Sequence, residues 1–296
     1  MASTTILLPR NFNVSTLHEF VGSVIDPHRQ PRFQHVVFDF SQLGFIEGDG
    51  LTAFVNTVEW LRSRGVQCAF LNHTRGTPAL SYLDDCGLFS RYLGRPLSPS
   101  AAPRGTTLPI QCVEHSNSHQ WLEFTFSQWL APKLGTTPAA LADVRTCLKE
   151  VFNNIMDHSR EDSGWVHAQW YPNKERVHIA ISDFGRGIPA AIAERFHCDD
   201  DGHAIELATR DGITTRSVAG NRGAGLAILT DYVVASNGGS VSIHSSRGRV
   251  SFLPGKEGVS MSQRVGNAPY PGTLLNIRFR TDRMDLGVAD REDLEW

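Results

Sequence analysis

The 296-residue chain is long enough for one large domain or two ordinary ones. Its 28 Lys and Arg against 31 Asp and Glu leave a net charge of -3, which gives no electrostatic case for nucleic acid or an acidic membrane surface as partner. The apolar runs, such as Val36 to Phe40 and Leu226 to Leu229, fall far short of the roughly 20 residues that cross a bilayer. Met1 to Arg10 lacks the basic start, apolar stretch and small-residue cleavage site of a secretory signal. The cysteines, Cys68, Cys86, Cys112, Cys147 and Cys198, are scattered and odd in number, as expected for reduced thiols in a cytoplasmic protein.

Apolar residues cluster in strand-like runs at Thr5 to Leu8, His35 to Phe40 and Gln67 to Asn72. A helix is expected from Ser15 to Ile25, and another from Leu51 to Ser63, where Leu51, Phe54, Val55, Val58 and Leu61 recur at helical spacing. This alternation predicts an α/β layer over residues 1–95. Residues 96–118 are rich in Pro, Ser, Thr and Gly and read as a linker, with one short edge strand near Leu108 to Cys112.

A second domain is expected over residues 119–281. It begins with helices at Gln120 to Leu134 and Pro138 to His158, the latter with Pro in its first turn. Strands follow at Trp165 to Trp170 and Arg176 to Ser182, then a helix at Gly225 to Ser236. Three more strands are read near Ser240 to Ser245, Arg249 to Leu253 and Thr273 to Arg280. Helices first and then mostly strands predict an α+β sandwich with helices on one face of a mixed sheet. Residues 282–296 form an acidic tail, either disordered or docked through Leu294 and Trp296.

Three segments carry chemistry. On the helix before His158, Glu150, Asn154, Asp157 and His158 fall along one stripe, because an α-helix turns once per about 3.6 residues. A carboxylate one turn from an amide suits magnesium-assisted phosphate chemistry: the amide oxygen ligates a hard cation and the carboxylate orients or deprotonates a nucleophile. A solvated polar helix face is the plain alternative. Next, the apolar strand ending Ile181-Ser182 turns through Asp183-Phe184-Gly185-Arg186-Gly187-Ile188-Pro189, where glycines permit close approach of a flat ligand and Asp183 accepts from an exocyclic amine. Third, Gly220-Asn221-Arg222-Gly223-Ala224-Gly225-Leu226 runs into a helix whose unpaired amides suit phosphate, with Arg222 adding a charge. Taken singly, each also occurs in ordinary turns and loops. His197 to His203 looks metal-like but lacks the spacing of a zinc or EF-hand site, and reads as a solvated acidic loop.

In this order, followed by a closing strand with Gly272-Thr273, the three segments resemble the N, G1 and G2 boxes of the GHKL (Bergerat-fold) ATPases and kinases. That resemblance implies binding of ATP or ADP with Mg2+. It makes Glu150 the general base, Asn154 the magnesium ligand and Asp183 the acceptor that selects adenine. Gly185, Gly187 and Ile188 then lie against base and ribose, and Thr273 is a contact near Asp183. Gly223, Ala224, Gly225 and Leu226, with Arg222, form the phosphate end of the lid. His197 to Ala219 corresponds to the lid itself, where Thr215 and Arg216 are similar to residues that close over phosphates. Asp157 and His158 complete the polar stripe, and His158 resembles the anti-sigma-factor serine kinases more than the chaperones. For a lysine on the terminal phosphate, Lys256 is the one candidate.

The first half resembles a STAS domain, on Val36-Val37-Phe38-Asp39-Phe40 and Phe45-Ile46-Glu47-Gly48-Asp49-Gly50-Leu51. In that family a phosphorylated serine begins the helix. Here Gly48 stands in its place and has no hydroxyl, while Asp49 either caps the helix or supplies a fixed charge. The combined reading is a Mg-ATP-binding signalling protein whose nucleotide-gated lid controls contact with a protein partner. Two rivals stay open: a serine/threonine kinase acting on a separate STAS partner, and a scaffold with a vestigial nucleotide site. Homodimerisation is also compatible with the resemblance.

Overall fold

Residues 3–155, 162–210, 225–256 and 258–284 are described by the structure, a computed structural model. The N-terminal half contains, in chain order, β1 (Ser3–Leu7), β2 (Asn11–Phe12), α1 (Leu17–Val24), β3 (His35–Asp39), β4 (Phe45–Ile46), α2 (Gly48–Ser63), β5 (Gln67–Leu71), α3 (Pro78–Asp85) and α4 (Leu88–Leu93). Strands β1, β3 and β5 form a parallel sheet with β3 central, and β2 pairs with β4. Each crossover is helical, as parallel neighbours require. Thr77 caps α3 by accepting from the Leu80 amide, with Pro78 in the first turn. Phe12, Phe20, Phe38, Phe40, Phe54 and Phe89 fill the centre of this half.

The C-terminal half begins inside the stretch read as a linker, where β6 (Thr107–Glu114) pairs at the sheet edge. A helical stretch then runs through α5 (His115–Gln120), a π turn at Trp121–Phe126 and α6 (Ser127–Leu130). It continues to α7 (Ala142–Asn154), β7 (Ser163–Tyr171), β8 (Arg176–Asp183), α8 (Ile188–Ile192), α9 (Asp201–Ala208), α10 (Gly225–Thr230), β9 (Ser240–Gly255) and β10 (Gly258–Arg280). The strand order is β6-β7-β8-β10-β9, and each neighbouring pair is antiparallel. The mixed sheet expected from the sequence is therefore corrected to an antiparallel one. The helical crossover from β8 to β9 sets these two strands in the same direction, and β10 returns between them, antiparallel to both. A second difference concerns residues 240–255, which form one long strand instead of two. Ser246, at φ 51°, marks the irregularity in register opposite Tyr270 that bends it.

Alternation along the strands assigns the two sheet faces. Val166, Ala168, Val177, Ile179, Ile181, Leu275, Ile277 and Phe279 face a core shared with α7, α10 and the helices before them. The opposite face carries Trp165, His167, Ser182, His244, Tyr270, Leu274 and Asn276, and it too is buried. The N-terminal half covers it: α2 packs on β7, β8 and β10, and α1 packs on β10. Trp165, Tyr270 and Leu274 accordingly belong to the N-terminal core. Because it lies between two sheets, α2 is buried on all sides, including its polar Asp49, Thr52, Asn56 and Thr57.

Candidate nucleotide site

Two groups of the sequence-assigned residues assemble at the same end of this sheet. The first is formed by α7 and α10. Gly225, the first residue of α10, lies so close to α7 that a Cβ there would be 3.1 Å from both Asn154 Nδ2 and Glu150 Oε2. Absence of a side chain is what lets the two helices meet. Glu150 Oε1 accepts from Asn153 Nδ2 at 3.4 Å, and Asn153 is in turn bonded to His115 at 3.2 Å, so the polar end of α7 is tied to α5. Asn154 Nδ2 is buried and has no hydrogen-bond partner among the described residues. An amide proton kept from water without a partner costs about 1–3 kcal/mol.

The second group surrounds the end of β8. Asp183 pairs in register with Thr273 of β10, is 2% exposed, and accepts from the Gly185 amide at 2.8 Å through Oδ1. Gly272, at φ 81°, presses its backbone onto Asp183, and Gly187, at φ 83°, presses onto Ser245 and Gly272. Both positions need the left-handed conformation and the missing side chain. Ser245 Oγ ties the turn together. It accepts from the Ile188 amide at 2.9 Å, donates to the Gly272 carbonyl at 2.8 Å, and lies 3.1 Å from Thr273 Oγ1. Between the groups, Gly164 of β7 sits under Ile155 at the end of α7 and against the Ser182 carbonyl, one residue from Asp183.

The structure thus brings Glu150, Asn154 and Gly225 together, and Asp183, Gly185, Gly187, Ile188 and Thr273 together. Leu226 is buried beside the first group, in the helical core. Asp157, His158, Thr215, Arg216, Arg222, Gly223 and Ala224 lie outside the described residues.

Family models match both halves. That of the histidine kinase-, DNA gyrase B- and HSP90-like ATPases matches residues 140–262, and that of the STAS domain matches residues 11–100. The chain joins a STAS domain to an ATPase domain of the GHKL family. A similar solved structure is the 43K ATPase domain of Thermus thermophilus gyrase B in complex with an aminocoumarin. It is 18% identical, over 58% of this chain and 42% of that one, with a TM-score of 0.30. The chain therefore spans less than half the length of that protein. No curated protein matches.

Within the ATPase domain, part of the segment read as a lid, His197 to Ala219, is helical. Residues 201–208 form α9, whose Ile205 is buried against β9. Nor is the acidic run simply solvated. Asp200 caps α9 through the His203 amide and accepts from Gln263, while Asp201 accepts from the Arg247 amide. After α9, only Thr209 and Arg210 of that segment fall among the described residues. Lys256 is exposed in the turn joining β9 to β10.

In the STAS domain, Gly48 is half-buried and lies against the ATPase sheet. A Cβ there would be 2.5 Å from His167 Nδ1 of the ATPase sheet. The position at which the STAS resemblance places a phosphoacceptor hydroxyl is here a point of domain contact. Gly48→Ser is therefore expected to lower stability by about 1–3 kcal/mol through overpacking. Thermal melts and intact-mass measurement after incubation with ATP check this. A variant as stable as the parent, or one that gains a phosphate, would contradict this contact. Asp49 likewise differs from its expected role as a cap. Residue 47 is the N-cap, while Asp49 accepts from Asn276 Nδ2 of β10 at 2.7 Å and from the Gly50 amide.

Residues that the sequence did not point to also support the site. Tyr270 OH lies 2.7 Å from Ser182 Oγ, and Ser182 Oγ donates to the Thr273 carbonyl at 2.9 Å. Burial pushes the Tyr270 phenol up, so it stays a neutral hydrogen-bonding group.

Proposed function

We propose that this protein is a magnesium-ATP-dependent regulatory protein, binding ATP or ADP in its ATPase domain and using the nucleotide state to govern contact with a protein partner. The observation that carries this reading is the approach of Gly225 to Glu150 and Asn154, which puts a helix N-terminus against a carboxylate and an unpartnered amide. Asn154 would hold the magnesium, Glu150 would orient or deprotonate a nucleophile, and the amides before Leu226 would receive phosphate. Asp183 would take the adenine amino group, with Gly185, Gly187 and Ile188 against base and ribose. Bound ATP would supply a phosphoanhydride whose charge the metal screens. The segment after Arg210, with Thr215 and Arg216, is proposed as the closing part of the lid. A change there that depends on nucleotide shifts the partner equilibrium only by its difference in affinity for the two states.

Isothermal titration is expected to show saturable binding of ATP and ADP, with Asp183→Asn weakening both roughly 10- to 100-fold, the value of one charge-assisted hydrogen bond. No heat from the unmodified protein with either nucleotide would sink the proposal. A serine/threonine kinase is the second reading, and Gly48, which has no hydroxyl, restricts it to a separate STAS substrate. Labelled ATP with such a partner, and Glu150→Ala as control, separates kinase from binding-only protein.

A further inference from the structure

The turn that carries Asp183 is held from the other domain. Arg29 of the STAS domain donates through Nη1 to the Arg186 carbonyl and through Nη2 to the Gly185 carbonyl, both at 2.8 Å. Asn56, fully buried in α2, donates through Nδ2 to the carbonyls of Asp183 at 2.8 Å and Pro271 at 3.1 Å. The acceptors fix the amide orientation, since a flipped Asn56 would turn its oxygen onto carbonyl oxygens. Phe184, between these contacts, packs against the STAS core. Consecutive residues of this turn, Asp183 to Arg186, are thus contacted by a domain that contributes no strand to the turn's β-sheet among the described residues.

Arg29 is itself placed with care. It sits at φ 59° in a tight loop where the Asp26 carboxylate accepts from the amides of His28 and Gln30, and Ile25 bridges to Pro31. A left-handed conformation at a non-glycine residue is uncommon and is kept where the surroundings enforce it. Burial pushes the guanidinium's pKa down, and the charges of Asp183 and Asp201 oppose that shift. The cation therefore lies within electrostatic reach of the carboxylate that the ATP reading assigns to adenine. A planar fork spanning two adjacent carbonyls sets direction as well as position.

We propose that Arg29 and Asn56 are positioning residues for the nucleotide site: the STAS domain holds the Asp183 turn in the geometry that recognises the adenine amino group. The inference rests on the ATP reading above. It makes the STAS domain a determinant of nucleotide specificity, so that a partner loosening the STAS contact would weaken ATP and, by reciprocity, bound ATP would tighten that contact.

The test compares ATP with purine riboside triphosphate, which lacks the 6-amino group, by isothermal titration on the full chain. The parent should prefer ATP. Arg29→Ala should weaken ATP on the order of tenfold while changing the deaminated analogue little, so that discrimination falls. Arg29→Lys, a point charge without the fork, should recover only part of it. Asn56→Ala should reproduce the fall, with thermal melts confirming that it folds. Equal weakening of both nucleotides, or unchanged discrimination in a folded Arg29→Ala, would overturn the positioning role while leaving ATP binding intact. A parent that binds neither nucleotide would remove the ATP reading and the positioning role with it.

Discussion

Gly272→Ala is expected to lower the stability of the protein by about 3–5 kcal/mol, combining a left-handed backbone penalty with overpacking. Gly272 sits at φ 81°, and a Cβ there would collide with the Asp183 carbonyl oxygen and come within 2.6 Å of Asp183 Oδ1. Neither obstacle is a flexible side-chain end. The carbonyl is fixed by Asn56, and the carboxylate by the Gly185 amide. Relief therefore requires separating β8 from β10 where Asp183 and Thr273 pair. For a chain of this size the melting temperature should drop on the order of 10 °C, and adenine-nucleotide binding should disappear. Gly76→Ala is the control. Gly76 has φ 68° but nothing within 4 Å of its added Cβ, so it meets the backbone penalty alone. If the two variants melt alike, crowding at Asp183 is absent and the account of the turn is wrong.

Gly272 also shows what could be read from the chain and what could not. Glycines that permit a close approach stand out locally: Gly187 and Gly225, singled out by their motifs, are both crowded in the structure. The polar stripe of α7 was legible too, since Glu150 and Asn154 follow from helical spacing alone. The second face of the ATPase sheet was not. His167, Ser182, His244 and Asn276 alternate with apolar neighbours, and that pattern ordinarily means a face in water. Here the STAS domain lies on it, so His167 meets Tyr82 of α3, Asn276 meets Asp49 of α2 and His244 lies beside His18 of α1 instead of water. Pairings such as Asn56 with Asp183 and Asp49 with Asn276 join positions distant in sequence, and no local pattern encodes them. One trace existed: the apolar stripe of α2 is interrupted by Thr52, Asn56 and Thr57, yet each is buried. The direction of β9 was equally hidden, because a strand pattern records which residues alternate and not which neighbour they pair with.

The buried polar face has a consequence in acid. His167 is wholly enclosed between the domains, bonded to Tyr82 OH at 3.0 Å, and burial pushes its pKa down to about 4. His178 is pushed down to about 3, first by burial and then by Arg278, Arg176 and Lys174. His244, whose ring lies 5.7 Å from that of His18, is also pushed down by burial and by Arg249, as is His18. An unfolded histidine binds a proton near its ordinary value of about 6.5. Below that pH the unfolded chain takes up protons that the folded one refuses, so stability is lost as pH falls from about 6.5 toward 4. Asp49 acts in the opposite sense. Burial and the neighbouring Glu47 push it up to about 7 against Arg278 and Arg249, so its stabilising proton is retained in acid and lost as pH rises toward 7. Several histidines outweigh one carboxyl, and each histidine carries about 1.4 kcal/mol per pH unit, or about 3 kcal/mol over the window for His167. Urea midpoints between pH 7.5 and 4.5 should therefore fall with acidity. His167→Gln should flatten that fall, and Asp49→Asn should steepen it while raising stability above pH 7. A midpoint indifferent to pH in the parent, or an unchanged slope in His167→Gln, would mean that these rings are not held neutral between the two domains.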